Sequence, residues 1–195
     1  MTRTQAVCLA ALATLVLGGV YFTRTGHAPA GQPKLVELKA SSLSTLQAGF
    51  NRESGKLRVI LLLSPTCPTC LEGASAVEDV LKRHPDSKIV VFAVWEPMLS
   101  TDWSKPGTSP LQRLSDSRVQ QFWDADHTVA AALAVTEKAT QLHPSCCKRR
   151  GVLWDLIAAY PAGAMWSSTV PRPVFFDGTM VQSAAGLEGV VNNAK

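Results

Sequence analysis

The stretch Val59-Ile60-Leu61-Leu62-Leu63-Ser64-Pro65-Thr66-Cys67-Pro68-Thr69-Cys70 decides how the rest of the chain is read. Its first five residues are apolar without alternation, the pattern of a strand covered on both faces. Ser64-Pro65-Thr66 turns the chain. The cysteines then open a segment in which Leu71, Ala74, Val77 and Leu81 recur at helical spacing as far as Arg83. Pro68 suits the first helical position, where its missing N–H costs little. His84-Pro85-Asp86 ends the helix, because proline disfavours helical backbone at the residue before it. Ile89 to Trp95 is a second apolar run of strand length. Strand, helix and strand within about 40 residues make a parallel βαβ unit with a right-handed crossover.

A cysteine at a helix N-terminus faces unpaired N–H groups and the positive end of the helix dipole, and both favour thiolate over thiol. With two residues between them, Cys70 can reach Cys67 and release a bound partner as an intramolecular disulfide forms. A structural disulfide or half of a zinc site are the alternatives. Zinc would need two further ligands, and neither a second CxxC nor a paired His is present in the sequence.

Composition narrows the classes. The 195 residues are 46% hydrophobic and 17% charged, which suits one domain of ordinary size with an adequate core. Thirteen Gly and 12 Pro exclude collagen-like and low-complexity chains. A net charge of +4, dispersed along the chain, gives no reason to expect a nucleic-acid partner. The front end is different in kind. No acid precedes Glu37, and Arg3 and Arg24 flank an apolar run from Ala6 to Phe22. Such a run spans about 25 Å as a helix, just under a membrane core. A short basic segment followed by an apolar one is export-signal chemistry. Residues 1–23 are therefore expected to be a membrane anchor or a signal segment, with Ala28-Pro29-Ala30 as the cleavage site in the second case. Residues 24–34, with Gly26, Pro29, Gly31 and Pro33, read as a linker, and 35–195 as the domain, placed on the extracytoplasmic side.

Further along, a short helix through Leu43, Leu46 and Phe50 is expected, then a loop from Pro97 to Pro110 and a short helix from Pro110 to Ser115. Val119 to Trp123 is extended, and Asp126, with Asp124, caps a helix from His127 to Val135. Val152 to Tyr160 is read as strand. Val174-Phe175-Phe176 is a strand ended by Asp177-Gly178, with Met180-Val181-Gln182 as its hairpin partner and Leu187 to Asn193 as a closing helix. Pro173 inside that strand suggests an edge position or an irregular start.

The strand from 57 to 63, Cys67-Pro68-Thr69-Cys70, the helix from 68 to 83, the strand from 89 to 95 and Val170-Pro171 ahead of Val174-Phe175-Phe176-Asp177-Gly178 together resemble the thioredoxin superfamily, and in particular its membrane-tethered, exported thiol–disulfide oxidoreductases. The resemblance covers roughly residues 35–195. It implies an α/β fold with a central mixed sheet flanked by helices, and an insertion before the strand opened by a cis-proline. It implies Cys67 as nucleophile and Cys70 as resolving cysteine. Pro171 becomes the cis-proline and Val170 the residue that guides the partner chain. Protein thiols or disulfides are the implied partners, with no cofactor and no metal at the site. The family often has aromatic residues before the first cysteine and an acid six positions upstream of it. Here Ser64-Pro65-Thr66 and Leu61 stand in those places, so the proton-handling acid is missing from its usual position.

Cys146-Cys147 forms a second close pair, followed by Lys148-Arg149-Arg150, whose charge favours thiolates. Three readings stay open: a candidate second dithiol exchanging with Cys67/Cys70, a soft-metal (copper or mercury) site on a thioredoxin-like scaffold with His143 nearby, or two independent thiols. Glu96, just past the second strand, is read either as a solvated carboxylate or as a group at the active-site edge.

Overall fold

The order of elements is β1 (Val36–Leu38), α1 (Leu43–Arg52), β2 (Leu57–Leu63), α2 (Pro68–Arg83), β3 (Ile89–Trp95), α3 (Thr108–Leu111), β4 (Val119–Asp124), α4 (Thr128–Thr140), β5 (Lys148–Arg149), β6 (Val152–Leu153), β7 (Leu156–Tyr160), β8 (Phe175–Gly178) and α5 (Met180–Asn193). These come from a computed structural model that describes residues 26–39, 42–142, 144 and 146–194. The expected anchor or signal segment, residues 1–23, lies outside the described residues, as does His143. Among the described residues no helix is long and apolar enough to cross a membrane.

Six strands form one sheet in the order β1-β4-β3-β2-β7-β8, and β5 and β6 form a separate antiparallel pair. β1, β4, β3 and β2 are parallel, whereas β7 runs antiparallel to β2, and β8 antiparallel to β7. Every residue of β2 and of β3 is buried, as their uninterrupted apolar runs require.

Side chains of a strand alternate between faces, so the sheet divides the interior into two cores. Leu57, Val59, Leu61 and Leu63 face α2 and α5, with Ala74, Val77 and Leu81 from one helix and Met180, Leu187 and Val191 from the other. Ile60 and Leu62 face α1 and α4, with Leu46 and Phe50 against Val129, Ala130 and Leu133. Arg58, on that second face, is completely buried. Its guanidinium lies 4.6 Å over the Phe50 ring and donates to the carbonyls of Ala164 and Pro161. The connection between β7 and β8 is thereby tied to the end of the sheet where β2 begins.

Residues 26–33 do not hang free as a linker. The Gln32 side chain donates to the carbonyls of Leu114 and Asp116, and His27 N donates to Thr108 Oγ1. The short helix after the long loop is Thr108–Leu111, a little earlier than its expected position.

The C-terminal region departs from the sequence expectation. Met180-Val181-Gln182 is no hairpin strand but the first turn of α5, which continues to Asn193. The hairpin is formed instead by β7 and β8, with Ala159 opposite Phe175 and Leu156 opposite Gly178. Burial decides between the two: Met180 is completely buried in the core between α5 and α2. β8 is an edge strand, as Pro173 suggested.

The α2–α5 contact is close because Gly73 has no side chain. A Cβ there would lie 2.6 Å from Met180 Cβ and 3.1 Å from Val181 N. Gly73→Val should therefore destabilise the protein by about 1–3 kcal/mol through overpacking. The expected outcome is a lower urea midpoint with the slope of the transition unchanged.

Candidate active site

Parallel strands point their C-terminal ends to one edge of the sheet, and β2 delivers its cysteines there. The turn Ser64-Pro65-Thr66 is held by Asp102, a buried carboxylate from the loop after β3. Asp102 accepts from Ser64 Oγ at 2.6 Å, from Thr66 N at 3.0 Å and from Thr66 Oγ1 at 2.6 Å. It also accepts from Met98 N and Leu99 N in its own loop. One buried carboxylate thus fixes both the entry to the site and the loop beside it.

Cys67 is the N-cap of α2, with Pro68 at the first helical position. Its sulfur accepts from Cys70 N at 3.3 Å, a bond to one of the N–H groups that a helix N-terminus leaves unpaired. Both cysteines are free thiols. Cys67 retains 5% of its surface and Cys70 none, so Cys67 is the sulfur a partner can reach. The hydrogen bond from the Cys70 side chain, helped by the backbone N–H groups of Cys70 and Thr69, brings the Cys67 thiol down to about 7 against the opposing effect of burial. Cys70 is driven strongly the other way by the same contact with Cys67, by burial and by the charge of Asp155. Proton affinity is divided unequally: Cys67 gives up its hydrogen the more readily and Cys70 holds its own.

Asp155 is the site residue that the sequence reading missed. It lies just before β7, is 3% exposed and has φ 49°, a left-handed conformation that Asp tolerates better than most residues. Leu156 pairs with Leu62, which sets Asp155 at the same end of the sheet as the cysteines. Met180 N donates to its Oδ1 at 3.2 Å. Burial pushes the Asp155 carboxyl up, while Met180 N and the Cys70 thiol work to keep it ionised. Position 61 is Leu, and the carboxylate that does reach the cysteines comes from the residue just before β7. The only signal for it in the sequence was a carboxylate standing directly before the apolar run Leu156–Tyr160.

Val170 and Pro171 are not brought to the cysteines. The Val170–Pro171 bond is trans; the cis peptide among the described residues is Gly178–Thr179. Val170 is buried in the core on the other face of the sheet, where its carbonyl accepts from Thr136 Oγ1 of α4 at 2.8 Å. Val174 N bonds Ala159 O near the far end of β7, which puts Pro171 towards the edge of the sheet opposite Cys67. The cause is the strand assignment. The strand that follows the insertion and pairs with β2 is β7, entered through Trp154-Asp155, and β8 is one strand further out.

Cys146 and Cys147 form a vicinal disulfide in the segment leading to β5. Lys148 does not face these sulfurs as a free charge but donates to Glu137 Oε1 of α4 at 2.6 Å. Among the described residues no group of three or more His, Cys, Asp or Glu side chains is arranged to hold a metal ion.

Glu96 is not solvated. It is fully buried on the α4 face, and its Oε2 bonds His127 Nδ1 at 2.9 Å. Burial raises the Glu96 carboxyl to about 7, and the hydrogen bond that His127 donates to Glu96 raises His127 in turn. Asp124, not Asp126, caps α4, accepting from Thr128 Oγ1 and Val129 N. Trp123 is buried, as expected.

The parallel β2–α2–β3 unit, a mixed sheet, helices on both faces and a CxxC at the start of α2 are the arrangement that the resemblance implied, whereas the β7–β8 hairpin stands in place of the expected one. The fold is thioredoxin-like. Among the solved structures similar to it are the following two. One is a thioredoxin-like protein in the oxidised form, 20% identical, with a TM-score of 0.43, over 71% of this chain and 77% of that one. The other is a secreted disulfide oxidoreductase of Mycobacterium tuberculosis, described as homologous to E. coli DsbE, 18% identical, with a TM-score of 0.39, over 71% of this chain and 82% of that one. No protein-family model and no curated protein matches the chain.

Two titrations test these electrostatics. Alkylation of Cys67 should show an inflection near pH 7, and Cys70→Ala should move that inflection upward, because the leading stabiliser of the thiolate is lost. For Glu96 and His127 the folded state holds protons that the unfolded chain has released. Stability should accordingly fall as pH rises from about 4.5 through 7, the span between the ordinary and the folded value of Glu96. Glu96→Gln should flatten this dependence in thermal melts across that range.

Proposed function

We propose that the protein catalyses thiol–disulfide exchange through Cys67 and Cys70, with protein thiols or disulfides as partners and the domain outside the cytoplasm. The observation that carries the reading is the opposite treatment of two sulfurs in contact. One is stabilised as thiolate at a helix N-terminus, and the other is kept as a buried thiol beside a carboxylate.

Each group then has one role. The Cys67 thiolate attacks a partner disulfide, one partner sulfur leaves as thiolate, and a mixed disulfide remains. Asp155 accepts the proton of Cys70. The Cys70 sulfur attacks Cys67 Sγ, the Cys67–Cys70 disulfide forms, and the second partner sulfur is released. Run backwards, the same steps oxidise a partner dithiol. A carboxylate whose affinity for protons is raised by burial suits a transfer in either direction. The extracytoplasmic setting is supported by the basic start and the apolar run Ala6–Phe22, as anchor or as cleaved signal.

Insulin reduction and glutathione exchange test the assignment. Cys67→Ser should abolish both. Asp155→Asn should leave the first attack intact and slow resolution by about 10²-fold, so that the mixed disulfide accumulates. Its deficit should shrink as pH rises, because hydroxide then takes the Cys70 proton. A Val170→Ala variant, altered on the far face of the sheet, should keep the wild-type rate of exchange.

A further inference from the structure

We propose that Cys146 and Cys147 are a second redox centre that passes its disulfide internally to Cys67 and Cys70 across Asp155. The proposal rests on the exchange chemistry assigned to Cys67. It concerns what that sulfur reacts with inside its own chain.

The first ground is what the vicinal disulfide does not do. A disulfide stabilises mainly by closing a loop in the unfolded chain, and the effect grows with the length of that loop. Neighbouring residues enclose almost none, so a stapling role accounts poorly for this pair. The core already has two well-filled halves without it.

The second ground is position. The segment after α4 is drawn back towards the sheet by Lys148 on Glu137 and by the β5–β6 pairing of Lys148 with Leu153. Trp154 N donates to Cys147 O at 3.1 Å, which sets Cys147 beside the Trp154-Asp155 step. Gly178 of β8 makes room there. A Cβ on Gly178 would lie 2.7 Å from Cys147 Sγ and 2.4 Å from Asp155 O. Any other residue would occupy the space that the Cys147 sulfur fills. Asp155 consequently has Cys147 on its backbone side, while its carboxylate acts on Cys70 and Cys67. One residue borders both cysteine pairs.

The third ground is access. Cys146 and Cys147 are half-buried, whereas Cys67 and Cys70 are buried. The vicinal pair is the easier of the two for an external thiol to reach.

The step balances within the chain, starting from the states in the structure. The Cys67 thiolate attacks one sulfur of the Cys146–Cys147 disulfide, whose S–S bond breaks, and the other sulfur leaves as thiolate. Cys70, losing its proton to Asp155, attacks Cys67 and expels the second vicinal sulfur as thiolate. Cys67/Cys70 end oxidised by two electrons and Cys146/Cys147 reduced by two; the Asp155 proton passes to a vicinal thiolate.

The test uses the full chain with Cys70→Ser, which removes the resolving sulfur and stops the sequence at its midpoint. The vicinal disulfide is formed first, and Cys67 is confirmed as a thiol. The protein is then held at neutral pH, quenched in acid, alkylated and mapped by mass spectrometry. The expected result is a bond from Cys67 to Cys146 or Cys147 within one chain, at a yield unchanged by tenfold dilution. Cys70→Ala, which leaves no polar group in the buried position, repeats the measurement should the serine disturb folding. An intact vicinal disulfide with Cys67 recovered as alkylated thiol overturns the proposal. A parallel challenge with glutathione disulfide separates the two failures. If Cys67 takes up glutathione but never bonds the vicinal pair, the relay falls and the exchange activity stands. If Cys67 does neither, both fall.

Discussion

The complete burial of β2 is the constraint on which the rest of the structure depends. A strand with no exposed residue must be covered on both faces, and four of the five helices among the described residues exist in their places to do that. α2 and α5 close one face and α1 and α4 the other. The parallel neighbour β3 and the antiparallel neighbour β7 satisfy its two edges. Apolar burial at about 25 cal/mol per Å² makes such an arrangement favourable, and it leaves the end of the strand no freedom. The chain leaves Leu63 at a fixed point, and Cys67 begins a helix four residues later.

Chemistry follows from that rigidity. A helix N-terminus can hold a thiolate only if the sulfur stays where the N–H groups point, and Asp102 keeps the intervening turn from shifting. The second sulfur lies one helical turn deeper, where water cannot reach it. The environment treats identical groups oppositely because one lies at the mouth of the core and the other inside it. Asp155 extends the same logic. Buried, and facing two sulfurs that already compete for negative charge, its carboxylate has a raised affinity for protons.

Glu96 and His127 show the same physics on the opposite face. A carboxylate at the end of β3 enters the second core because strand alternation points it there, next after Trp95 on the first. Water is excluded from it, so it keeps His127 as its partner and rises towards neutrality. That pair joins the end of β3 to the start of α4, and neither sequence alternative for Glu96, a solvated carboxylate or a group at the active-site edge, included the enclosure.

The sequence by itself determined the βαβ unit from Leu57 to Trp95, the helix beginning at Pro68 and the placing of Cys67 and Cys70 at its start. Those features are local: apolar runs, proline positions and spacing specify them without reference to distant residues. It also marked Pro173 as an edge signal and Asp124 as a helix cap. Only the tertiary structure decided which later segment pairs with β2. Leu156–Tyr160 and Phe175–Gly178 are both short and apolar, and pattern alone does not rank them as neighbours of a central strand. Choosing the outer one led to Val170 and Pro171, which lie across the sheet from the cysteines. The choice settles once Met180 is needed as core between α5 and α2, because Met180–Gln182 then cannot be a strand. Asp155 became visible for the same reason. Its contact with Cys70 joins residues 85 positions apart, and no local pattern encodes which buried carboxylate will arrive beside which thiol.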